Sequence, residues 1–164
     1  RRFGKVILVD DAKVNELKEI RELGPEPLEV DFLEFKKLFT QKKGRIKQVL
    51  MDPKFIAGIG NIYADEILWF SGLHPLSRVE NLSIHDIRNI YRFTKKILEK
   101  AIALDGSSVD DYRTITGDKG EFQNHQHAYH QTKKLCKKRD GGRIERLKIG
   151  GRSAHFCRIH QILK

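Results

Sequence analysis

The stretch "DPKFIAGIGNIYADEILWFSGLHP", residues 52–75, limits the fold more than any other part of the chain. It sets Gly58, Ile59, Gly60 and Asn61 between two apolar runs, then resumes with Ile62, Tyr63, Ala64, Ile67 and Leu68 at helical spacing. Two helices must therefore meet across a short turn. Gly58 and Gly60 free the backbone from the steric limits on φ, and Asn61 stands where the second helix would be capped. Two readings are open. The turn is a plain connector whose glycines relieve crowding, or it leaves the first amides of a new helix bare for an anion. In the second case the missing Cβ at Gly58 and Gly60 permits close approach, and the Asn61 amide adds a donor.

Charge bears on that choice. The 164 residues carry 32 Lys plus Arg against 22 Asp plus Glu, a formal charge of +10. The excess favours a polyanionic partner, nucleic acid ahead of an anionic membrane surface. Most of it lies beyond residue 118, and Lys47 and Lys54 flank the glycine turn. No run of about 18 apolar residues is present to span a bilayer, and no signal-peptide pattern opens the chain. The opening "RRFGKVILVD" lacks Met and is already strand-like, so it reads as the tail of a truncated domain. With no secretory signal, Cys136 and Cys157 are expected as free thiols or metal ligands rather than a disulfide.

The length suits one domain or two small ones. The pattern is mainly α with a small β-hairpin. Residues 3–10 suggest a short strand, and the Pro-punctuated "LGPEPLEV" (23–30) a linker. Phe32, Phe35, Leu38 and Phe39 form one apolar helical face behind Asp31 as a cap. "RIKQVLMD" (45–52) predicts a shorter helix ended near Pro53, and residues 61–71 a further one stopped by Gly72 and Pro75. Ser83 with Asp86 resembles a capping box. It opens a long helix to about residue 103, with Ile87, Ile90, Tyr91, Thr94, Ile97, Leu98 and Ile102 facing inward. A polar loop follows. From about residue 122 the pattern suggests short strands, with "RIERLKI", a "GG" turn and "RSAHFC" as a hairpin.

The run "IKQVLMDPKFIAGIGNIYADEILWFSGLHPLSR" strongly resembles the helix-two-turn-helix motif of the formamidopyrimidine-DNA glycosylase and endonuclease VIII family. "LGPEPL" resembles that family's entry to the helical domain, "DGSSVDDY" with "GEFQNHQHAYHQ" its lead into a zinc finger, and "KIGGRSAHFC" the finger's hairpin. The resemblance covers nearly the whole chain. It implies a remnant of a β-sandwich domain over residues 1–22, a helix-two-turn-helix domain with a lesion loop over 23–121, and a zinc-ribbon-like hairpin over 122–164. By the same resemblance Asn61, Lys47 and Arg152 are phosphate contacts, the last at the hairpin tip. Tyr112, Arg113 and Thr114 are candidates for reading the damaged base.

The family's finger holds zinc through two Cys-x-x-Cys pairs. Here the second pair reads Cys157-Arg158-Ile159-His160, and the first reads Cys136-Lys137-Lys138-Arg139. Arginine cannot ligate. Asp140, one residue on, offers an acceptable carboxylate. The expected set for one structural zinc is therefore Cys136, Asp140, Cys157 and His160, its rival a finger held by packing without metal. His130 is the second candidate for the missing ligand. His125 and His127 read as one polar face of a strand, and His74 as a packing or capping residue at a helix end.

The resemblance also implies a bifunctional base-excision enzyme that removes oxidised bases from damaged double-stranded DNA and cleaves abasic sites. Its amino-terminal proline is the nucleophile, aided by a neighbouring glutamate. Neither is visible: the chain opens Arg1-Arg2, and its first proline, Pro25, has its nitrogen in a peptide bond. Asp65 and Glu66 read as structural or surface residues rather than an acid–base pair, since acidic groups early in a helix complement its dipole. No catalytic residue is expected within this chain. The expected protein is a monomer, cytoplasmic or at the nucleoid, that binds DNA and no membrane. The alternative is a non-catalytic helix-two-turn-helix nucleic-acid-binding module.

Overall fold

Asp31 opens the first substantial helix as the pattern requires. Its carboxylate accepts from the Glu34 amide at 2.9 Å, and Glu34 returns the bond to the Asp31 amide. The computed structural model describes residues 6–108 and 120–164. Within these, five α-helices are α1 (Lys18–Arg21), α2 (Phe32–Thr40), α3 (Ile46–Leu50), α4 (Asn61–Ser71) and α5 (Ile84–Ala103). Strands β1 (Glu145–Ile149) and β2 (Arg152–Phe156) pair antiparallel, Ile149 opposite Arg152. The expected architecture, mainly helical with a small hairpin, is what forms. No described helix is long and apolar enough to cross a membrane.

Local signals placed the helices well. Ser83 and Asp86 form the reciprocal box that opens α5, and Gly72 ends α4 in the left-handed region at φ 70°. That turn lets the Leu73 amide reach back to the Leu68 carbonyl at 3.1 Å, so the helix end is satisfied. At the hairpin tip Gly150 and Gly151 have φ of 55° and 81°. Two positive values in succession are the signature of a type I′ turn, whose twist follows that of the flanking strands.

Four expectations are corrected. Residues 6–10 form no strand, and Val6 and Leu8 are fully exposed; a strand is held by a neighbour's hydrogen bonds, and none pairs with them among the described residues. The segment 23–30 is not a free linker. Gly24 donates to the Pro53 carbonyl at 2.7 Å and Ala57 to the Pro25 carbonyl at 3.1 Å, which docks it along the two turns between α3 and α4. Residues 122–142 hold a 3₁₀ turn (Phe122–His125) and further turns instead of strands. Ile102 is exposed and Ala101 takes the inward position, because the buried stripe of α5 has drifted by one residue at its end.

The helical body packs around Phe35, Phe39, Leu50, Phe55, Ile67, Leu68 and Ile90. Each such side chain contributes about 1.5–3 kcal/mol by leaving water. A second, smaller core of Trp69, Ala128, Cys136, Ile144 and Cys157 lies under the hairpin module. Helix α4 belongs to both cores. Its residues Ala64, Asp65, Glu66, Ile67, Leu68 and Trp69 are all buried, so neighbours cover it on every side.

Two links fasten the module to that helix. The C-terminal residues run along 72–78: Ile162 donates to the Gly72 carbonyl at 2.8 Å, and Arg78 donates to the Lys164 carbonyl at 3.0 Å. The Gln161 side chain joins the Cys157 amide to the Leu73 carbonyl. On the opposite side, Glu66 accepts from three successive amides, those of His127, Ala128 and Tyr129, at 2.9–3.1 Å. Three convergent N–H groups form a cradle that holds a charged acceptor more strongly than a neutral one.

Removing that acceptor strands buried donors. Glu66→Ala is expected to cost about 3 kcal/mol in urea unfolding and to speed hydrogen exchange at amides 127–129 while α5 keeps its protection. Unchanged exchange at those amides would show that Glu66 is not the latch.

Candidate functional site

Chain order brings the glycine turn and the hairpin tip to one face. Between α3 and α4 the backbone makes two consecutive turns, and Gly58 takes φ 74° in the second. A Cβ built on Gly58 or on Gly60 would meet nothing within 4 Å, so both point into open space. Gly60, and not Asn61, is the N-cap: its backbone is extended, and Asn61 is the first helical residue. Glycine has no side chain with which to cap, and α4 begins with no side-chain cap hydrogen bond. The N-cap residue therefore contributes no acceptor of its own at the positive end of this eleven-residue helix.

Asn61 is half-buried, and its buried Oδ1 has no hydrogen-bond partner among the described residues. Such a group is uncommon in a folded chain and marks a place where a partner is missing. It lines a polar cleft of about 350 Å³ with Tyr129, His130, Thr132, Arg146, Ser153 and His155. Arg146 donates from Nε to the Ser153 hydroxyl at 2.9 Å, which sets its guanidinium along the wall. A neighbouring cleft of about 180 Å³ is lined by Lys47, Gln48, Met51, Ile149, Gly150 and Arg152. The hairpin tip rests there on α3, so closely that a Cβ at Gly150 would lie 2.7 Å from the Gln48 amide nitrogen. Arg152, the first residue of β2, is exposed at its edge. Lys54, also exposed, is paired with Glu22 at 2.8 Å.

Lys47 is corrected. Its side chain is 1% exposed, and Nζ donates to Asp65 Oδ1 at 2.5 Å and to the Ser153 carbonyl at 2.6 Å. It is an internal strut joining α3, α4 and β2 rather than an open cation. Burial depresses its pKa from the ordinary lysine value, against the opposing pull of Asp65, and the nearby Arg152 charge adds to the depression. Asp65 also accepts from the His155 amide and from His155 Nδ1, both at 2.9 Å. Asp65 and Glu66 are accordingly structural, as expected, but deeply buried rather than on the surface.

At the far side of the hairpin module, Cys136, Asp140, Cys157 and His160 bring one ligand atom each to within 4.8 Å of one another. His160 Nδ1 lies 2.7 Å from Asp140 Oδ2 and 3.5 Å from Cys136 Sγ, and Cys157 Sγ lies 3.4 Å from the same carboxylate. His160 Nε2 faces the Trp69 carbonyl at 3.1 Å. With a cation bound, a proton on Nε2 toward that carbonyl would turn Nδ1 from a donor to Asp140 into a ligating lone pair, the usual outer-shell arrangement for a metal-ligating histidine. Burial pushes the Cys136 thiol up to about 11. At Asp140 burial pulls upward too, but hydrogen bonds from the Gly142 amide, His160 and the two thiols outweigh it and hold the carboxyl at about 2. Two sulfurs, one imidazole and one carboxylate suit a tetrahedral divalent cation.

His130 is not in that cluster; its ring stacks on Tyr129 instead. His125 sits in the 3₁₀ turn against Lys100, and His127 leans on Trp69, so they do not share a strand face. His74 packs on Phe156 at 4.4 Å. Tyr112, Arg113 and Thr114 lie outside the described residues. Sequence reasoning missed Tyr129, Arg146 and His155 in the cleft. The usable signal was two adjacent carboxylates inside an otherwise apolar helix, which demand buried partners from another element.

Residues 23–113 match the formamidopyrimidine-DNA glycosylase H2TH domain. The formamidopyrimidine-DNA glycosylase of Herpetosiphon aurantiacus is 39% identical over 98% of this chain and 59% of its own length. That of Lactiplantibacillus plantarum is 36% identical over 99% of this chain and 60% of its own. Among solved structures, the MutM (Fpg) protein from Thermus thermophilus superposes with a TM-score of 0.91 at 33% identity, covering 100% of this chain and 63% of that one. The Lactococcus lactis Fpg in complex with abasic-site DNA gives 0.85 at 33% identity, covering 93% and 56%. The chain thus spans about three fifths of the length of the curated relatives it matches. On the domain match and these relatives together, the chain belongs to the formamidopyrimidine-DNA glycosylase family.

Proposed function

We propose that this chain is the DNA-gripping part of a base-excision glycosylase with abasic-site lyase activity. The observation that carries the reading is a cleft shared by Asn61, at an α4 N-terminus with no side-chain cap, and Arg146 and Ser153 of the hairpin, with Arg152 exposed beside Ser153. A phosphate beside Asn61 meets the N-terminus of α4, where no N-cap side chain competes for the helix dipole, approached across Gly58 and Gly60. A second phosphate meets Arg152. Phosphate contacts of this kind fix register and orientation, and base chemistry follows only once the damaged nucleotide leaves the stack. On the same reading Tyr112, Arg113 and Thr114 read the damaged base, and Lys47 acts indirectly, by holding β2 on α3. The Lactococcus lactis relative has been captured with abasic-site DNA and with DNA containing Fapy-dG, which supports a damaged duplex as the ligand.

The residues present fit a structural zinc ion. Cys136, Asp140, Cys157 and His160 would hold it, and the ion would cross-link the two ends of the finger without taking part in the reaction. Cys136, protonated while no cation is near, would lose its proton on binding. What this chain supplies on its own is the surrounding frame: the Trp69 carbonyl orients His160, and the Gly142 amide orients Asp140.

Three outcomes are expected of the intact protein. Duplex affinity falls steeply with salt, Asn61→Ala and Arg152→Ala each lower it about tenfold, and Arg152→Ala reduces the slope of log affinity against log salt by about 1. Affinity unaltered in both variants would dismiss this interface. Metal analysis finds one zinc per chain, lost in Cys157→Ser, and chelation loosens amide exchange in the finger but not in α5; a metal-free protein with a protected finger would favour packing alone. Borohydride traps a covalent adduct on damaged duplex DNA. Tight binding without any adduct would favour the non-catalytic module.

A further inference from the structure

His130 holds a backbone conformation that side chains resist. Its φ is 56°, in the left-handed region where Cβ crowds the following carbonyl. Histidine enters that region more readily than most residues, yet a strained position persists only where its surroundings enforce it. Two buried carboxylates do so here. Glu66 holds the Tyr129 amide at 2.9 Å, and the His130 ring lies flat on Tyr129, centroids 4.4 Å apart and planes 8° from parallel. Asp65 holds His155, whose ring meets His130 edge-on at 5.7 Å. The ring stays exposed and forms part of the wall of the 350 Å³ cleft that Asn61 and Arg146 also line.

The side chains around that concavity carry donors: the Asn61 amide, the Arg146 guanidinium, the Thr132 hydroxyl and the imidazole. Among the described residues no carboxylate lines it, since Asp65 and Glu66 are turned into the fold and consumed there. The buried Asn61 Oδ1 at its edge meets no donor among the described residues; as an acceptor it cannot be satisfied by a phosphate, so the Asn61 contact to a strand falls to the Nδ2 donor. We propose that His130 is a further DNA contact, an imidazole carried on the Tyr129 ring that donates to a backbone phosphate of the strand held by Asn61, with Arg146 flanking the same phosphate. The proposal rests on the DNA-gripping reading above. It assigns to His130 a grip on the nucleic acid in place of the metal-ligand role that its spacing suggested.

The test uses the intact protein and a duplex with a central abasic-site analogue. His130→Gly removes the ring and relieves the positive φ together, so the variant should melt at or above the wild type yet bind about tenfold more weakly. His130→Asn, which tolerates the same φ and keeps a donor, should bind within about threefold of the wild type. Wild-type affinity in His130→Gly would overturn the proposal, because a ring that only packs can be lost without cost to binding. Should His130→Gly melt below the wild type, the His130 ring resonances of the unaltered protein decide. Their perturbation on adding duplex supports the contact, and their indifference refutes it. Absence of salt-sensitive duplex binding in the wild type would instead remove the underlying reading.

Discussion

Two consecutive carboxylates buried in α4 hold this structure in its working shape. A charge taken out of water costs several kcal/mol unless partners replace the solvent. Asp65 and Glu66 can therefore be buried only if the finger stays docked. Glu66 gathers the backbone of residues 127–129, and Asp65 gathers Lys47 and both donors of His155. Adjacent residues on a helix point about 100° apart, so the pair clasps the finger at two separate places. The orientation of β2 against α4 follows from that geometry. Apolar packing at Trp69 adds adhesion, but contact between greasy surfaces is non-directional and would tolerate sliding.

This constraint explains why the open face is placed where it is. The N-terminus of α4 lies one turn before the clasp, so a finger seated on Asp65 and Glu66 brings Ser153, Arg146 and His155 beside Asn61. The Lys47 strut works in the same direction. By bonding to the Ser153 carbonyl, the residue next to Arg152, it fixes the hairpin tip over α3. On the proposed function, a lysine buried this way serves DNA more by positioning an arginine than by touching a phosphate. The price is a cation kept in a low-dielectric site, tolerable only beside Asp65.

What could be read from the residues divides along the range of the forces involved. The starts of α2 and α5, the end of α4 and the two-glycine hairpin were legible because each rests on bonds within a few residues. The irregular backbone of 122–142 was not. Its conformation is set by Glu66, more than sixty positions away, and no local propensity reports that acceptor. Lys47 misled for a related reason: a lone lysine on a short helix looks solvated until its partner on another helix is known. The cap was expected at Asn61, one residue beyond its actual place at Gly60. Asparagine is the better capping residue in general, and the extended glycine before it is informative only if the helix start is meant to stay open.

The cluster of Cys136, Asp140, Cys157 and His160 shows how a carboxylate can stand beside two thiols without dismantling the turn around it. Arg139 stands where a second thiolate would be expected, with φ 56°, and its amide closes on the Cys136 carbonyl at 3.0 Å. A left-handed residue at that point turns the chain back, so Asp140 points inward toward Cys157 and His160 while the guanidinium goes to solvent. Gly142 has to be glycine here, because a Cβ there would collide with the Cys157 sulfur. The exchange of sulfur for oxygen lowers the softness of the donor set but preserves its charge, since a carboxylate and a thiolate each bring one negative charge. His160 in turn is held by the Trp69 carbonyl near the end of α4. The cluster is therefore anchored to the same helix as the clasp, at its opposite end, and a cation bound there would resist the rotation of the finger that Asp65 and Glu66 resist near the Asn61 cleft.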